Sequence, residues 1–209
     1  MMEKKTNLMT EGVIWKQLLL FSIPLLVGNL FQQLYNTVDS IIVGNYVGSQ
    51  ALAAVGASTP IINLLVGFFM GIATGAGIII SQFYGAKDEK RLRESVHTAL
   101  ALSILAGIFL TVVGMMFSPW ILRIMGTPDE VLQDSVLYLR LYFVGSLFLL
   151  VYNMGAGILR AVGDSRRPLY YLCISSVINI VLDLLFVVGF KMGVAGVALA
   201  TLLAQGVSA

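Results

Sequence analysis

Charged residues are scarce in this sequence. Asp, Glu, Lys and Arg make up only 11% of its 209 residues, whereas a soluble domain carries about 25%. With one cysteine and one histidine, a disulfide framework within the chain and a Cys/His metal cluster are both excluded. The sequence also lacks the GxSxG, HExxH and phosphate-binding P-loop motifs. These absences argue against an enzyme, a bound cofactor and ATP-driven pumping.

Apolar residues, by contrast, make up 58% of the chain and occur in long runs. Each run approaches or exceeds the roughly 20 residues that a helix needs to cross a bilayer. We therefore predict an all-α polytopic membrane protein with a six-helix transmembrane bundle over residues 16–209, preceded by a cytoplasmic tail at 1–15. The predicted helices cover roughly 16–43, 52–83, 96–117, 132–159, 169–189 and 194–209.

Two prolines help to define these helices. Pro24 lies inside the first predicted helix, where a proline is a natural kink site. Ser118-Pro119-Trp120 is expected to end the third helix.

Basic residues indicate the orientation. Ten of the 13 Lys and Arg residues fall in the N-terminal tail, at the first position of the first helix, or in the loops after the second and fourth helices. Because cytoplasmic loops are enriched in Lys and Arg, we expect a multi-pass protein of the plasma membrane with a cytoplasmic N-terminus. The basic residues are interpreted as topology signals rather than as a nucleic-acid surface, so the lipid bilayer is the expected partner.

Two aspartates lie in apolar helices where a carboxylate is costly. Asp39 follows the uncharged run 18–34, and Asp183 is the only charge between residues 169 and 189. An Asp at the centre of a membrane helix costs roughly 2.5–3.5 kcal/mol on insertion scales. At about 1.5 Å of rise per residue, both carboxylates and Thr201 fall in the outer half of the membrane. They could meet if the first, fifth and sixth helices are neighbours.

Each carboxylate also has a polar neighbour one helical turn away. Tyr35 precedes Asp39 by four residues, and Asn179 precedes Asp183 by four, so each pair shares a helix face. Such oxygen-rich groups suit a hard cation such as Na⁺, or a proton shared between carboxylates. The alternative is that each Asp pairs with a Ser, Asn or backbone group and serves only packing.

Further polar side chains occur along the helices. They would line a water-filled cavity or, equally, form hydrogen bonds between helices. These candidate cavity residues are Gln32, Gln33, Asn36, Asn63 and Asn153.

Several short motifs, taken in order, resemble the N-terminal half of a multidrug and toxic compound extrusion (MATE) transporter. The resemblance covers essentially the whole chain. Its motifs are Phe21-Ser22-Ile23-Pro24, 36–44, 51–56, 81–86, Tyr138-Leu139-Arg140, 157–164, 179–183 and 193–201.

The resemblance implies one of two six-helix lobes that exchange H⁺ or Na⁺ for a small organic, typically cationic, substrate. Matching positions would place a cation or Na⁺ site at Asp39, Asn179, Asp183 and Thr201, with Tyr35 nearby. A full member has about twelve helices, so we expect the chain to be truncated relative to one. It would need the missing C-terminal lobe or a second copy of the chain.

The predicted function is therefore one lobe of a secondary active multidrug exporter. One alternative is a lipid-linked oligosaccharide flippase of the same superfamily, which would be expected to carry cationic residues in its cavity. The other is a membrane subunit that transports nothing and serves structure or interaction only.

Overall fold

A computed structural model describes residues 13–209, and all of those residues that are regular are helical. Most of the predicted tail, residues 1–12, lies outside the described residues. The helices are α1 Ile14–Ile42, α2 Ser49–Gly85, α3 Glu89–Ile124, α4 Asp129–Ala161, α5 Arg166–Asp183 and α6 Gly193–Ser208. Two π-helical segments, Val43–Val47 and Leu184–Gly189, extend α1 and α5. The predicted all-α membrane fold is confirmed.

Five of the helices are long and apolar enough to cross a membrane, when α1 and α5 are taken with their π-helical segments. The sixth, Gly193–Ser208, is apolar but shorter. Large apolar side chains on the outer faces are exposed, such as Leu64 at 73% and Phe109 at 65%. Exposed apolar surface on this scale is typical of a surface covered by lipid or by another protein segment.

The third helix differs most from its prediction. It was predicted over 96–117 but runs over Glu89–Ile124, because Asp88 caps its N-terminus by accepting a hydrogen bond from the Arg91 amide at 3.1 Å. Its predicted end at Ser118-Pro119-Trp120 is wrong, since Pro119 lies inside the helix.

A neighbouring helix explains why the chain tolerates Pro119. Proline has no amide hydrogen, so Pro119 cannot bond the carbonyl of Met115 one turn earlier. Arg140 of α4 donates its Nε–H to that carbonyl at 3.1 Å. The backbone group is therefore satisfied from another helix, and α3 continues.

Helix α4 is the centre of the bundle and packs against α2, α3 and α6. Small residues allow the close approach. A Cβ on Gly114 would lie 2.1 Å from Cγ of Phe143, and one on Gly107 would lie 2.8 Å from Cα of Leu147. Only glycine fits at both positions. The two glycines therefore allow the short distance between α3 and α4.

Helix α5 lies between α1 and α6, and the two π-helical segments contact each other. A buried cluster at this end includes Ile42, Val43, Val187 and Val194. This packing joins the C-terminal ends of α1 and α5 to the start of α6. Because α1 and α5 are neighbours here, Asp39 on α1 can meet the polar residues of α5.

Candidate cation-binding site

Asp39 and Asp183 are brought together near the ends of α1 and α5. Their carboxyl groups are direct electrostatic neighbours. Asp183 is fully buried, with 0% of its surface exposed, and Asp39 is half-buried. The two carboxylates therefore lie close to each other, while a cation-binding role for them stays a prediction.

Asn179 is a third buried polar residue in this part of the bundle. It is only 2% exposed and lies one turn before Asp183 on α5. Over residues 13–209, the buried side-chain polar atoms that have no hydrogen-bond partner all belong to these three residues. They are Oδ1 of Asp39, Nδ2 and Oδ1 of Asn179, and both carboxylate oxygens of Asp183. An unsatisfied buried polar group costs about 1–3 kcal/mol, so this concentration makes the three residues a candidate ligand site.

Within residues 13–209, no basic side chain lies within ion-pair distance of either carboxylate. The ion pairs of this part of the chain are Arg91–Asp88 and Arg167–Asp164, both at the surface. Two adjacent carboxylates repel each other unless a cation or a proton lies between them.

Tyr35 and Thr201 are the two predicted site residues with neutral hydroxyl oxygens. Tyr35 is half-buried on α1 and is an electrostatic neighbour of Asp39. Thr201 is half-buried on α6, the helix that packs against α5, and its hydroxyl donates to the carbonyl of Val197 at 3.0 Å. That bond uses the hydroxyl hydrogen and leaves the oxygen lone pairs free to accept a cation or a proton donor.

The donor chemistry fits a hard monovalent cation or a proton. The residues offer carboxylate, amide and hydroxyl oxygens, which hard cations prefer. Within the described residues there is no cluster of three or more His, Cys, Asp or Glu that could hold a transition metal.

Three further residues at this site were missed by sequence reasoning. Tyr138 of α4 is buried, at 8% exposure, and lies within electrostatic reach of Tyr35, Asp39 and Asp183. Tyr142, one turn later, is an electrostatic neighbour of Tyr138 and interacts with the side chain of Gln205 on α6. The spacing of Tyr138 and Tyr142 puts both on one face of α4, a signal that could have found them.

A glycine makes room for Gln205. A Cβ on Gly145 of α4 would lie 2.9 Å from Oε1 of Gln205. The amide therefore fills space that any larger residue at position 145 would occupy.

Four of the five candidate cavity residues are exposed, and the fifth is half-buried. Gln32, Gln33 and Asn36 of α1 are exposed, as is Asn63 of α2. Asn153 of α4 is half-buried and donates Nδ2–H to the carbonyl of Leu149 at 2.9 Å. None of the five is among the unsatisfied polar atoms, and a role in lining a cavity stays a prediction. Pro24 lies within α1, which continues through it as an α-helix.

Comparisons with known proteins agree with the fold. The MatE family model matches residues 24–185. The chain is 40% identical over 202 residues to a probable multidrug resistance protein, YoeA of Bacillus subtilis, covering 95% of this chain and 44% of that protein. It is 36% identical over 199 residues to a second such protein of B. subtilis, YpnP, covering 95% and 45%. The chain thus spans about half the length of these relatives.

Solved structures give the same result. A MOP superfamily transporter from Pyrococcus furiosus superposes with a TM-score of 0.91 at 31% identity, covering 100% of this chain and 46% of that one. A MATE protein in the bent conformation superposes with a TM-score of 0.86 at 32% identity, covering 92% and 43%.

Proposed function

The chain belongs to the MatE family, and from this premise we propose that it forms the N-terminal lobe of an antiporter that exports organic compounds in exchange for H⁺ or Na⁺. The cation is held by Asp39 and Asp183, with Asn179, Thr201 and Tyr35 supplying neutral groups. The observation that supports this most is the concentration of unpaired buried polar atoms on α1 and α5. Multidrug resistance is named for one relative of the chain, YoeA, and multidrug export for another, MepA of Staphylococcus aureus.

The proposed mechanism follows from charge. With the site empty, two neighbouring carboxylates repel each other, which disfavours close packing of α1 and α5 at this level. Uptake of a cation from the outer side removes the repulsion and lets the two helices pack more closely. The ion drives transport only because it binds one packing of the helices more tightly than the other.

The predicted kink at Pro24 belongs to the same step. The missing amide hydrogen of Pro24 leaves one helical hydrogen bond of α1 unmade. Bending or repacking of α1 around Pro24 would change the width of the substrate cavity. Closing that cavity requires the remaining half of the transporter or a second copy of the chain. In this proposal the N-terminus lies in the cytoplasm.

The test is transport by the full-length protein in proteoliposomes. We expect Asp39→Asn to abolish substrate efflux driven by a proton or Na⁺ gradient while leaving the protein folded. Asp134→Asn is the matched control, because Asp134 is an exposed carboxylate on α4 and its loss changes the net charge equally.

The efflux assay distinguishes proton coupling, Na⁺ coupling and a subunit that does not transport. Proton coupling predicts efflux with a pH gradient alone, whereas Na⁺ coupling predicts efflux with a Na⁺ gradient at equal pH. Thr201→Val removes an oxygen and keeps the shape, so it should weaken Na⁺-driven efflux more than proton-driven efflux. Unchanged efflux in Asp39→Asn would refute the cation site, and absence of efflux from the wild type would favour a non-transporting subunit.

A further inference from the structure

A second site lies at the opposite end of the bundle from the carboxylates. A cleft of about 600 Å³ opens where α2 and α4 end, on the predicted cytoplasmic side. Its walls come from the second half of α2, from the last turn of α4 and its loop, and from Phe21 near the start of α1. The cation-site residues do not line it, so the cleft is separate from the proposed transport site.

The floor of the cleft is a crossing of α2 and α4 at backbone distance. A Cβ on Gly157 would lie 3.1 Å from the carbonyl oxygen of Ala73, and one on Gly77 would lie 3.4 Å from the carbonyl oxygen of Gly157. The crossing leaves no room for larger side chains at its centre. The space therefore opens beyond it, toward the helix ends, where Arg160 follows Gly157 by nearly one turn.

Arg160 is the charged residue of this cleft. Its side chain is half-buried, and its Nε–H donates to the carbonyl of Ala156 at 3.1 Å, which orients the guanidinium. No carboxylate between residues 13 and 209 lies within ion-pair distance of it. A partly buried guanidinium without a counter-ion favours an anion, and its planar fork matches the oxygens of a phosphate group.

The remaining walls are largely apolar. Phe21 is half-buried, and Ile78 is exposed at 56% although it is a large apolar residue. Tyr84 and Ser81 add hydroxyl groups on the α2 side. A cation beside an apolar wall at the membrane surface is complementary to a phospholipid, which carries a phosphate next to acyl chains.

We propose that this cleft binds an anionic phospholipid of the cytoplasmic leaflet. The guanidinium of Arg160 holds the phosphodiester, Tyr84 and Ser81 contact the headgroup, and an acyl chain lies along Phe21 and Ile78. The bound lipid joins the ends of α2 and α4 to the start of α1, the helix that carries Asp39.

Native mass spectrometry of the full-length protein tests this directly. Phosphatidylglycerol and phosphatidylcholine with the same acyl chains are compared as added lipids. We expect the wild type to retain phosphatidylglycerol preferentially and Arg160→Gln to bind it about tenfold more weakly, the loss of one charge-assisted contact. Arg93→Gln is the control, because Arg93 is an exposed arginine on the same predicted side, and it should bind the lipid as the wild type does.

Two further variants cover a failure of Arg160→Gln to fold. Arg160→Lys keeps the charge without the planar fork and should show intermediate binding. Ser81→Trp fills part of the cleft while keeping the arginine and should also reduce binding. Equal lipid retention in wild type, Arg160→Gln and Ser81→Trp would overturn the proposal, as would an equal loss in Arg93→Gln.

Other occupants of the cleft give contrary results. Displacement of the lipid by inorganic phosphate at the same concentration would mean a site for soluble anions and would overturn the proposal. Failure of the full-length wild type to bind phosphatidylglycerol would also overturn it. The measurement does not involve transport, so it is independent of the antiport proposal.

Discussion

Replacing Asp183 by Asn should stabilise the protein without cation and abolish its stabilisation by cation. Asp183 is fully buried, neither of its oxygens has a partner in the described part of the structure, and Asp39 is its neighbour. Asn has nearly the same shape but no charge. The substitution therefore removes the repulsion between the two carboxylates and the desolvation cost of the Asp183 carboxylate. It also deletes one of the two charges that attract a cation.

The expected magnitude follows from these contacts. An unsatisfied buried polar group costs about 1–3 kcal/mol, and more when it is charged. Because the new amide stays unpaired, we expect a net gain of about 1–2 kcal/mol. In a domain of this size each kcal/mol shifts Tm by roughly 2–4 °C, so Tm without cation should rise by roughly 2–8 °C. The wild type should gain about 2.7 kcal/mol at a cation concentration of 100 Kd, and the variant should gain little.

The order of stability should therefore reverse when cation is added. Thermal unfolding of the full-length protein in detergent would be followed in choline chloride, in NaCl of equal ionic strength, and at lower pH. The exposed residue Asp134 provides the control, since Asp134→Asn should respond as the wild type does. A variant that is less stable than the wild type in choline chloride, yet equally stabilised by Na⁺ and by acid, would refute the reasoning.

Two further predictions concern the contacts that hold α3 against α4. Gly114→Ala should destabilise the protein by about 1–3 kcal/mol in urea or thermal unfolding, as overpacking of a core does, because its Cβ would lie 2.1 Å from the ring of Phe143. Gly67→Ala is the control. A Cβ on Gly67 would have no atom within 4 Å, so this variant should be neutral or stabilising in the same measurement. Arg140→Met should cost about 1–2 kcal/mol, because it leaves unpaired the carbonyl that Pro119 cannot bond. In a Pro119→Ala background the cost should largely vanish, and a double-mutant cycle with no coupling would contradict this account.

Much of the fold could be predicted because its signals are local. The number of helices follows from the apolar runs, and the membrane from the scarcity of charge. The ends of α3 could not be predicted. Its N-terminus runs through a charged segment capped by Asp88, and its C-terminus passes through Pro119 only because Arg140 of another helix satisfies the freed carbonyl.

In the candidate site, too, some residues could be predicted from local sequence signals and others could not. Asp39 and Asp183 are visible in the sequence because a carboxylate is costly in an apolar helix, and their neighbours Tyr35 and Asn179 follow from helical spacing. Tyr138 was missed, because a tyrosine in an apolar helix carries no comparable penalty and its place beside Asp39 depends on how α4 packs.

Hydrophobicity and charge are properties of single residues and short runs, so the all-helical membrane fold and the two costly carboxylates can be predicted from the sequence. The position of α5 between α1 and α6 is seen only in the folded chain, as is the proximity of two carboxylates that have no basic partner in residues 13–209. The same holds for Arg160, which has no ion-pair partner in those residues and lines a largely apolar cleft. Pairing and burial are relations between segments that are distant in the sequence, and they depend on how whole helices pack.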